Sequence, residues 1–298
     1  MKVLIGYDGS RHSDTALDDL RLAGLPRETK SLIVSVADPL MTSRPLREVV
    51  ALAMPSRRVV SGDFAQSQGD RAILAEEFSM KAVNRLLLEF PGWEVANQSR
   101  IGTAAWELID AADEWNADLV VVGSESVPAV ERILLGSVSK RVATESRRSV
   151  RVARSVERKK PYAPPKIIIG VDGSPAAQEA VYEVGRRVWP DGTQVKLVVA
   201  RSGQPMPGYD QRPGNQAESM LEWARYHLKA TGLNVSMSIQ TGDPKRILLG
   251  EARKWRSDCL FVGCRNFKSG FERYKLGSVS TAVVTKAPCS VEIVRPVE

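Results

Sequence analysis

Short apolar runs and longer amphipathic segments alternate along this chain. Runs of strand length include Leu119–Val122 and Ile167–Ile169, whereas Ile73, Phe78 and Val83 recur at helical spacing. This alternation predicts a parallel β-sheet with helices on both faces. In the first half we predict strands near 2–7, 31–37, 93–101, 118–123 and 149–154, and helices near 12–23, 70–90, 103–115 and from 136. In the second half we predict strands near 166–171, 194–200, 234–240, 258–263 and 290–294.

The chain also repeats itself. The segment Lys2–Ser10 (KVLIGYDGS) returns as Lys166–Ser174 (KIIIGVDGS), and the tetrapeptide Gly-Ser-Val-Ser at Gly136–Ser139 returns at Gly277–Ser280. A repeat of this length, in a chain of 298 residues, predicts two domains of the same fold. We place them at 1–154 and 166–298, joined by a linker at 155–165 that is rich in proline and charge. The predicted class is α/β, with two tandem open parallel five-stranded sheets.

The composition argues against a disulfide- or metal-dependent fold and against a membrane protein. With 43% hydrophobic residues the chain can bury a core without disulfides or metal, and no apolar run approaches the roughly 20 residues that span a bilayer. The N-terminus lacks a secretory pattern, so we expect a cytoplasmic protein without membrane partners. Cys259, Cys264 and Cys289 have no metal-ligand spacing, and we interpret them as core or surface thiols.

A net charge of +7 raises the question of an anionic partner. The densest basic stretch alternates with apolar residues and runs into the proline-rich linker, which favours the solvated face of an edge strand over nucleic-acid binding. Its members are Arg147, Arg148, Arg151, Arg154, Arg158, Lys159 and Lys160. The long connection at 38–69 is typical of functional or mobile loops, and we expect its arginines (Arg44, Arg47, Arg57 and Arg58) to be solvated.

Residues that can carry chemistry follow the strands, where open parallel sheets bind ligands. Asp8 and Asp172 follow the first strand of each half, and Gly123 and Gly263 end the fourth. The Gly-Ser-Val-Ser segments then open helices, whose free backbone N–H groups and hydroxyls can hold phosphate oxygens; an ordinary serine-capped helix start is the alternative. Asp8 can contact a ribose or a base, and a helix N-cap at Asp8 or Ser10 explains the same residues equally well.

Together these motifs resemble the universal stress protein family, over nearly the whole chain and twice. The resemblance lies in Asp-Gly-Ser after the first strand and in a glycine-spaced motif that ends in Gly-Ser after the fourth. It implies an adenine-nucleotide α-hydrolase-like, Rossmann-like fold. In nucleotide-binding members of the family, the glycine motif wraps the ATP phosphates and ribose, the aspartate contacts the nucleoside, and backbone at the end of the second strand meets adenine.

Carried over residue by residue, the resemblance implies two nucleotide sites. In the first half it implies Asp8, Val36, Gly123, Ser126, Gly136, Ser137, Val138 and Ser139, and in the second Asp172, Val199, Gly263, Gly277, Ser278, Val279 and Ser280. Ser126 and Asn266 stand where the motif has its second glycine, and ten residues rather than nine follow Asn266. We therefore rank the second site below the first.

The resemblance implies an ATP-binding stress or regulatory protein, with Mg²⁺, AMP or a cyclic nucleotide as further ligands to test. There is no phosphate-binding Gly-x-x-x-x-Gly-Lys motif, and His12 is the one candidate base, so we expect no dedicated catalysis, with slow ATP hydrolysis a lesser alternative. A structural module that has lost its ligand is the competing hypothesis. The last strands, Val150–Ala153 and Val291–Val294, are expected to pair with each other, and the resulting unit can dimerise further.

Overall fold

The computed structural model describes residues 1–37, 68–124, 135–156, 163–201, 213–264 and 276–296. Strands and helices alternate throughout these ranges, as the sequence predicts. The first half contains β1 (Lys2–Gly6), α1 (Arg11–Asp19), a 3₁₀ turn (Leu20–Leu22), β2 (Lys30–Ala37), α2 (Gln68–Glu89), β3 (Glu94–Ile101), α3 (Ala104–Glu114), β4 (Leu119–Gly123), α4 (Ser137–Glu145) and β5 (Ser149–Ala153).

The second half repeats this order. It contains β6 (Lys166–Gly170), α5 (Pro175–Arg186), β7 (Gln194–Arg201), α6 (Pro213–Lys229), β8 (Asn234–Thr241), α7 (Pro244–Trp255), β9 (Cys259–Gly263), α8 (Ser278–Lys286) and β10 (Ser290–Val294). The predicted α/β class is confirmed. Most of the long 38–69 connection, with its four arginines, lies outside the described residues.

The ten strands form one sheet in the order β3-β2-β1-β4-β5-β10-β9-β6-β7-β8. Pairing within each half is parallel, and the halves meet where β5 and β10 pair antiparallel, with Arg151 opposite Glu292. The predicted pairing of the last strands is therefore confirmed, and it merges the two five-stranded sheets into one. In each half the strand order reverses beside the first strand, which creates the crevice where such sheets bind ligands.

Helices cover both faces because side chains of successive strand residues alternate between them. Leu4 and Val120 face α3 and α4, and this core continues without a break under α7 and α8 of the second half. On the opposite face, Val3 and Val121 pack against α1 and α2, whereas α5 and α6 cover a separate core. One layer of helices is thus shared by both halves. Among the described residues no helix is long and apolar enough to cross a membrane.

The basic stretch at the end of the first half is where sequence interpretation was wrong. Arg151 is fully buried and Arg154 is 4% exposed, so neither lies on a solvated strand face. Arg151 Nε lies 2.6 Å from Asp19 Oδ2 and its Nη1 lies 3.1 Å from Glu292 Oε2. Burial by itself lowers the pKa of a guanidinium, but these carboxylates outweigh it and hold the pKa of Arg151 above its ordinary value. The alternating pattern therefore marks a paired interface.

Two further arginines cross that interface reciprocally. Arg154 donates to the carbonyl oxygens of Val284 and Cys289, near the end of α8. Arg295 donates to Ala143 O at 2.7 Å and to Arg148 O at 2.9 Å, near the end of α4. Cations satisfy the free carbonyls at helix ends. Each half thereby completes the last helix of the other.

The cysteines are buried thiols, as one of the two interpretations had it. Burial raises the pKa of the Cys289 thiol from 9.0 to about 11, although the hydrogen bond with Ser257 acts the other way. Burial likewise raises the pKa of Cys259 and of Cys264. Thiolates, which are the reactive forms, are therefore suppressed in the folded protein.

We expect no cysteine to react with a thiol reagent at neutral pH until the protein unfolds, when all three cysteines react. Because the folded pKa of Cys289 lies above its unfolded value, its stabilisation is present below pH 9.0 and is lost as the pH rises toward about 11. At about pH 10 the stability lost through Cys289 amounts to roughly 1 kcal/mol. Thiol counting in buffer and in urea, with urea unfolding at several pH values, checks both statements. Rapid labelling of the native protein would contradict them.

Candidate functional site

Each half begins with the same tight turn at the carboxyl end of its first strand. In Asp8-Gly9-Ser10 the glycine has a φ of +75°, a value that L side chains rarely adopt. Asp8 Oδ1 accepts a hydrogen bond from the Ser10 N–H at 3.0 Å, and Ser10 Oγ accepts one from the Ser13 N–H at 3.2 Å. Ser10, rather than Asp8, is therefore the N-cap of α1. The Asp8 carboxylate remains exposed at the edge of the sheet.

The second half reproduces this turn. Gly173 has a φ of +76°, and Asp172 Oδ1 accepts from the Ser174 N–H at 3.0 Å. Ser174 caps α5 by accepting from the Ala177 N–H at 3.2 Å. Asp172 is exposed like Asp8. The backbone geometry of the aspartate turn is thus the same in both halves, and in the second half Asp172 Oδ1 also accepts a hydrogen bond from the Ser174 hydroxyl at 2.5 Å.

In the first half a buried tyrosine, Tyr7, immediately precedes the turn and forms hydrogen bonds with α1 and β2. The Tyr7 hydroxyl donates to Asp14 Oδ1 at 2.8 Å, and the Tyr7 carbonyl accepts from the Ser35 hydroxyl at 2.7 Å. Burial, followed by the contact with Asp14, raises the pKa of Tyr7 well above its usual range, so the hydroxyl stays protonated. Valine occupies the same position in the second half, as Val171. The hydrogen bond from the tyrosine hydroxyl therefore has no equivalent beside the second turn.

A close contact with a helix explains why a glycine ends the fourth strand in each half. A Cβ atom at Gly123 would lie 2.0 Å from the backbone oxygen of His12 in the first turn of α1. At Gly263 it would lie 2.2 Å from the backbone oxygen of Ala176 in α5. Glycine lets the helix start sit directly on the strand end. This contact brings the aspartate turn and the end of the fourth strand together at the crevice.

The Gly-Ser-Val-Ser helix starts divide into inward and outward positions. Ser139 and Ser280 are buried and donate to the carbonyl oxygens of Gly123 and Gly263, so their hydroxyls attach each helix to its strand. Val138 and Val279 pack against the shared core. Ser137 and Ser278 are exposed in the first turn, where backbone N–H groups have no partner within the helix. Of these four serines, Ser137 and Ser278 are thus the exposed ones.

The glycine that begins each of these helices is different in kind from Gly123. Gly136 and Gly277 are N-cap residues with φ values of −58° and −62°, which any residue can adopt. A Cβ atom added at Gly277 would meet no described atom within 4 Å. Neither backbone conformation nor packing among the described residues explains this glycine. The described residues leave space above this helix N-terminus, and an anionic group needs such space in order to approach.

The universal stress protein family model matches residues 1–154 and again residues 165–295. The chain belongs to the universal stress protein family. A universal stress protein from Mycolicibacterium smegmatis is 26% identical over 99% of this chain and 97% of its own length. The crystal structure of a universal stress protein from Archaeoglobus fulgidus matches 99% of this chain and 98% of its own, with 19% identity and a TM-score of 0.65. One from Arabidopsis thaliana, solved with AMP bound, matches 45% of this chain and 93% of its own, with 21% identity and a TM-score of 0.34.

In this tandem universal stress protein, the two residues paired by sequence as adenine neighbours are not equivalent. The register places Val34 beside Gly6 and Val198 beside Gly170, so the counterpart of Val36 is Ala200 and not Val199. Val36 packs against the shared core, whereas Val199 lies in the core under α5 and α6, on the other face. A one-residue shift along a strand reverses the face. The sequence equivalence of Val36 and Val199 is therefore corrected.

The remaining sequence-derived positions are placed only in part. Ser126 and Asn266, with the extra residue that follows Asn266, lie outside the described residues. His12 is half-buried in the first turn of α1, and its carbonyl oxygen faces Gly123. In the described part of the chain no group of three or more His, Cys, Asp or Glu side chains is arranged to hold a metal ion.

Proposed function

We propose that this universal stress protein binds an adenine nucleotide, ATP before AMP or a cyclic nucleotide, at the crevice of its first half and more weakly at that of its second. The observation that carries this proposal is the helix start at Gly277, where neither backbone conformation nor packing among the described residues requires a glycine. The same motif opens α4 at Gly136. A residue without a side chain, beside free N–H groups, suits a phosphate.

The roles follow from the chemistry of each group. Backbone N–H groups at Ser137 and Val138, with the exposed Ser137 hydroxyl, would receive phosphate oxygens, and the dipole of α4 favours that negative charge. The exposed Asp8 carboxylate would accept hydrogen bonds from ribose hydroxyls. Ser278 and Asp172 would do the same in the second half. Binding by such groups holds a nucleotide without activating it, which suits a regulatory protein.

The test begins with freshly purified protein, which is denatured so that any released nucleotide can be identified by chromatography. Nucleotide-free protein is then titrated calorimetrically with ATP, AMP and cyclic AMP, with and without Mg²⁺. Replacing Asp8 with alanine removes a charged acceptor, so we expect the tighter ATP site to weaken by roughly 10- to 100-fold. Gly277→Val should block the weaker site alone, because the added side chain fills the approach to α8.

Glu94→Gln is the matched control, since Glu94 is exposed at the amino end of β3, away from the crevice. It should titrate like the parent protein. Unchanged ATP affinity in both Asp8→Ala and Gly277→Val would contradict the proposed sites.

A ligand-free interaction module is the second candidate, and one observation favours it. Gly123, Gly263, Ser139 and Ser280 are all explained by contacts within the chain, so their presence in both halves needs no nucleotide. Absence of released nucleotide together with absence of heat at millimolar ATP would select this candidate.

A further inference from the structure

The two strands that join the halves are related by the internal repeat. Counting from the two Gly-Ser-Val-Ser segments, Val150, Arg151 and Val152 correspond to Val291, Glu292 and Ile293. In the sheet, Val150 pairs with Ile293 and Val152 pairs with Val291, while Arg151 pairs with its own counterpart, Glu292. A pseudo-twofold axis therefore passes through the Arg151–Glu292 pair. Any residue at this position faces the same position of the other half.

Charges alternate in sign across this axis. Asp19 contacts Arg151 at 2.6 Å, Arg151 contacts Glu292 at 3.1 Å, Glu292 contacts Arg187, and Arg187 contacts Glu183 at 2.9 Å. The side chains of Arg151 and Glu292 are 0% exposed, and those of Asp19 and Arg187 are each 2% exposed. Low surrounding polarity strengthens both attraction and repulsion among such groups.

Pairing one half with a second copy of itself would break this alternation. Two first halves would place Arg151 against Arg151, and two second halves would place Glu292 against Glu292, on the axis and away from water. Like charges directly opposite each other across paired strands are destabilising, and burial increases that cost. Arg187, whose counterpart in the first half is Ala23, also donates to Ala23 O at 2.7 Å, and two first halves would lack this contact.

We infer that the pairing surface of each half accepts the other half and rejects a second copy of itself. The reciprocal contacts of Arg154 and Arg295 are alike in both directions, so they strengthen any pairing of two halves without choosing the partner. The choice comes from position 151 and its counterpart. Such an arrangement combines attraction to the correct partner with repulsion of the wrong one. Its consequence is a chain that closes on itself rather than joining other chains end to end.

The test keeps the full chain until it has folded. A protease cleavage sequence replaces residues 157–162, the purified protein is cut there, and the two fragments are unfolded, refolded together and weighed by native mass spectrometry. Random re-pairing would give equal totals of mixed and like pairs. We expect mixed pairs to exceed like pairs by about tenfold or more. Like pairs at or above half of the total would overturn the inference.

Single neutral substitutions sharpen the result. Glu292→Gln should increase the fraction of pairs formed by two second halves, because it removes the repulsion between two Glu292 carboxylates. Arg151→Gln should increase only the fraction formed by two first halves, because it removes the repulsion between two Arg151 side chains. Glu94→Gln, on the exposed end of β3, should change neither ratio. The same increase of both like pairs in each variant would contradict a choice made by charge.

A second measurement on the uncut chain covers the case in which the fragments fail to refold. Melting temperatures of Arg151→Gln, Glu292→Gln and the double variant form a cycle that isolates the coupling between the two side chains. We expect the double variant to melt no lower than the less stable single variant. Fully additive losses would show that the two side chains are uncoupled and would overturn the inference.

Discussion

Replacing Arg151 with methionine is expected to lower the free energy of unfolding by about 3–5 kcal/mol. Methionine fills much of the same volume, but it leaves the Asp19 and Glu292 carboxylates buried without the cation that lies between them. Removing one partner of a buried ion pair costs far more than the pair itself contributes, because neither that partner nor water then compensates the remaining charge. Urea unfolding followed by circular dichroism measures the loss.

Arg186→Met is the matched control. Arg186 also contacts two carboxylates, those of Glu179 and Glu183, but its side chain is 58% exposed. Water screens such contacts, so the control should lose about 1 kcal/mol or less. Equal unfolding midpoints for the two variants would show that the buried charges at the interface do not contribute as described.

A second large effect is expected at the strand ends, where Gly123→Ala and Gly263→Ala should each destabilise the fold by about 3 kcal/mol or more. The added methyl carbon would lie 2.0 Å from His12 O or 2.2 Å from Ala176 O. Both are backbone atoms, so no side chain can rotate to relieve the overlap, and the helix start must move. Thermal and urea unfolding of each variant measures the effect.

Gly277→Ala provides the comparison, because its Cβ atom meets no described neighbour and its φ suits alanine. We expect its stability to change by about 1 kcal/mol at most. A Gly123→Ala variant as stable as Gly277→Ala would contradict the packing described for the strand end. The contrast also explains why Gly277, and not Gly123, is the position at which to test ligand binding.

The repeat made most of the fold predictable. Buried parallel strands read as continuous apolar runs, and each motif occurs twice, so one half checks the other. The sequence predicts Asp8 and Gly123 at the carboxyl ends of the first and fourth strands. The structure places them there and shows that these two strands are neighbours in the sheet. What the sequence could not distinguish was whether Gly123 faces a ligand or a helix, since both require a residue without a side chain.

Arg151 was misread because a solvated edge strand and a charged interface share one pattern. Polar and apolar residues alternate in both, and only the partner strand decides where the polar side chain goes. A signal was nevertheless present in the repeat. Arg151 corresponds to Glu292, an exchange of charge sign between positions that would face each other if the last strands paired.

The error at Val199 has a different origin. The second strand carries no motif, so its alignment between the halves rests on apolar residues that resemble one another. A shift of one residue then exchanges the two faces of the sheet. Counting from Lys2 and Lys166, whose neighbours are Lys30 and Gln194, restores the register.

The antiparallel junction of β5 and β10 makes the strands of the two halves run in opposite directions. The two crevices therefore open at opposite ends of the strands. Across the sheet, perpendicular to the strands, they are also separated by four strand spacings, about 19 Å. That exceeds the distance of roughly 8 Å over which physiological salt screens charge. Two polyanions bound there would repel each other only weakly. Occupancy of one crevice then leaves the electrostatic cost of filling the other nearly unchanged, and the chain could report two ligand concentrations at once.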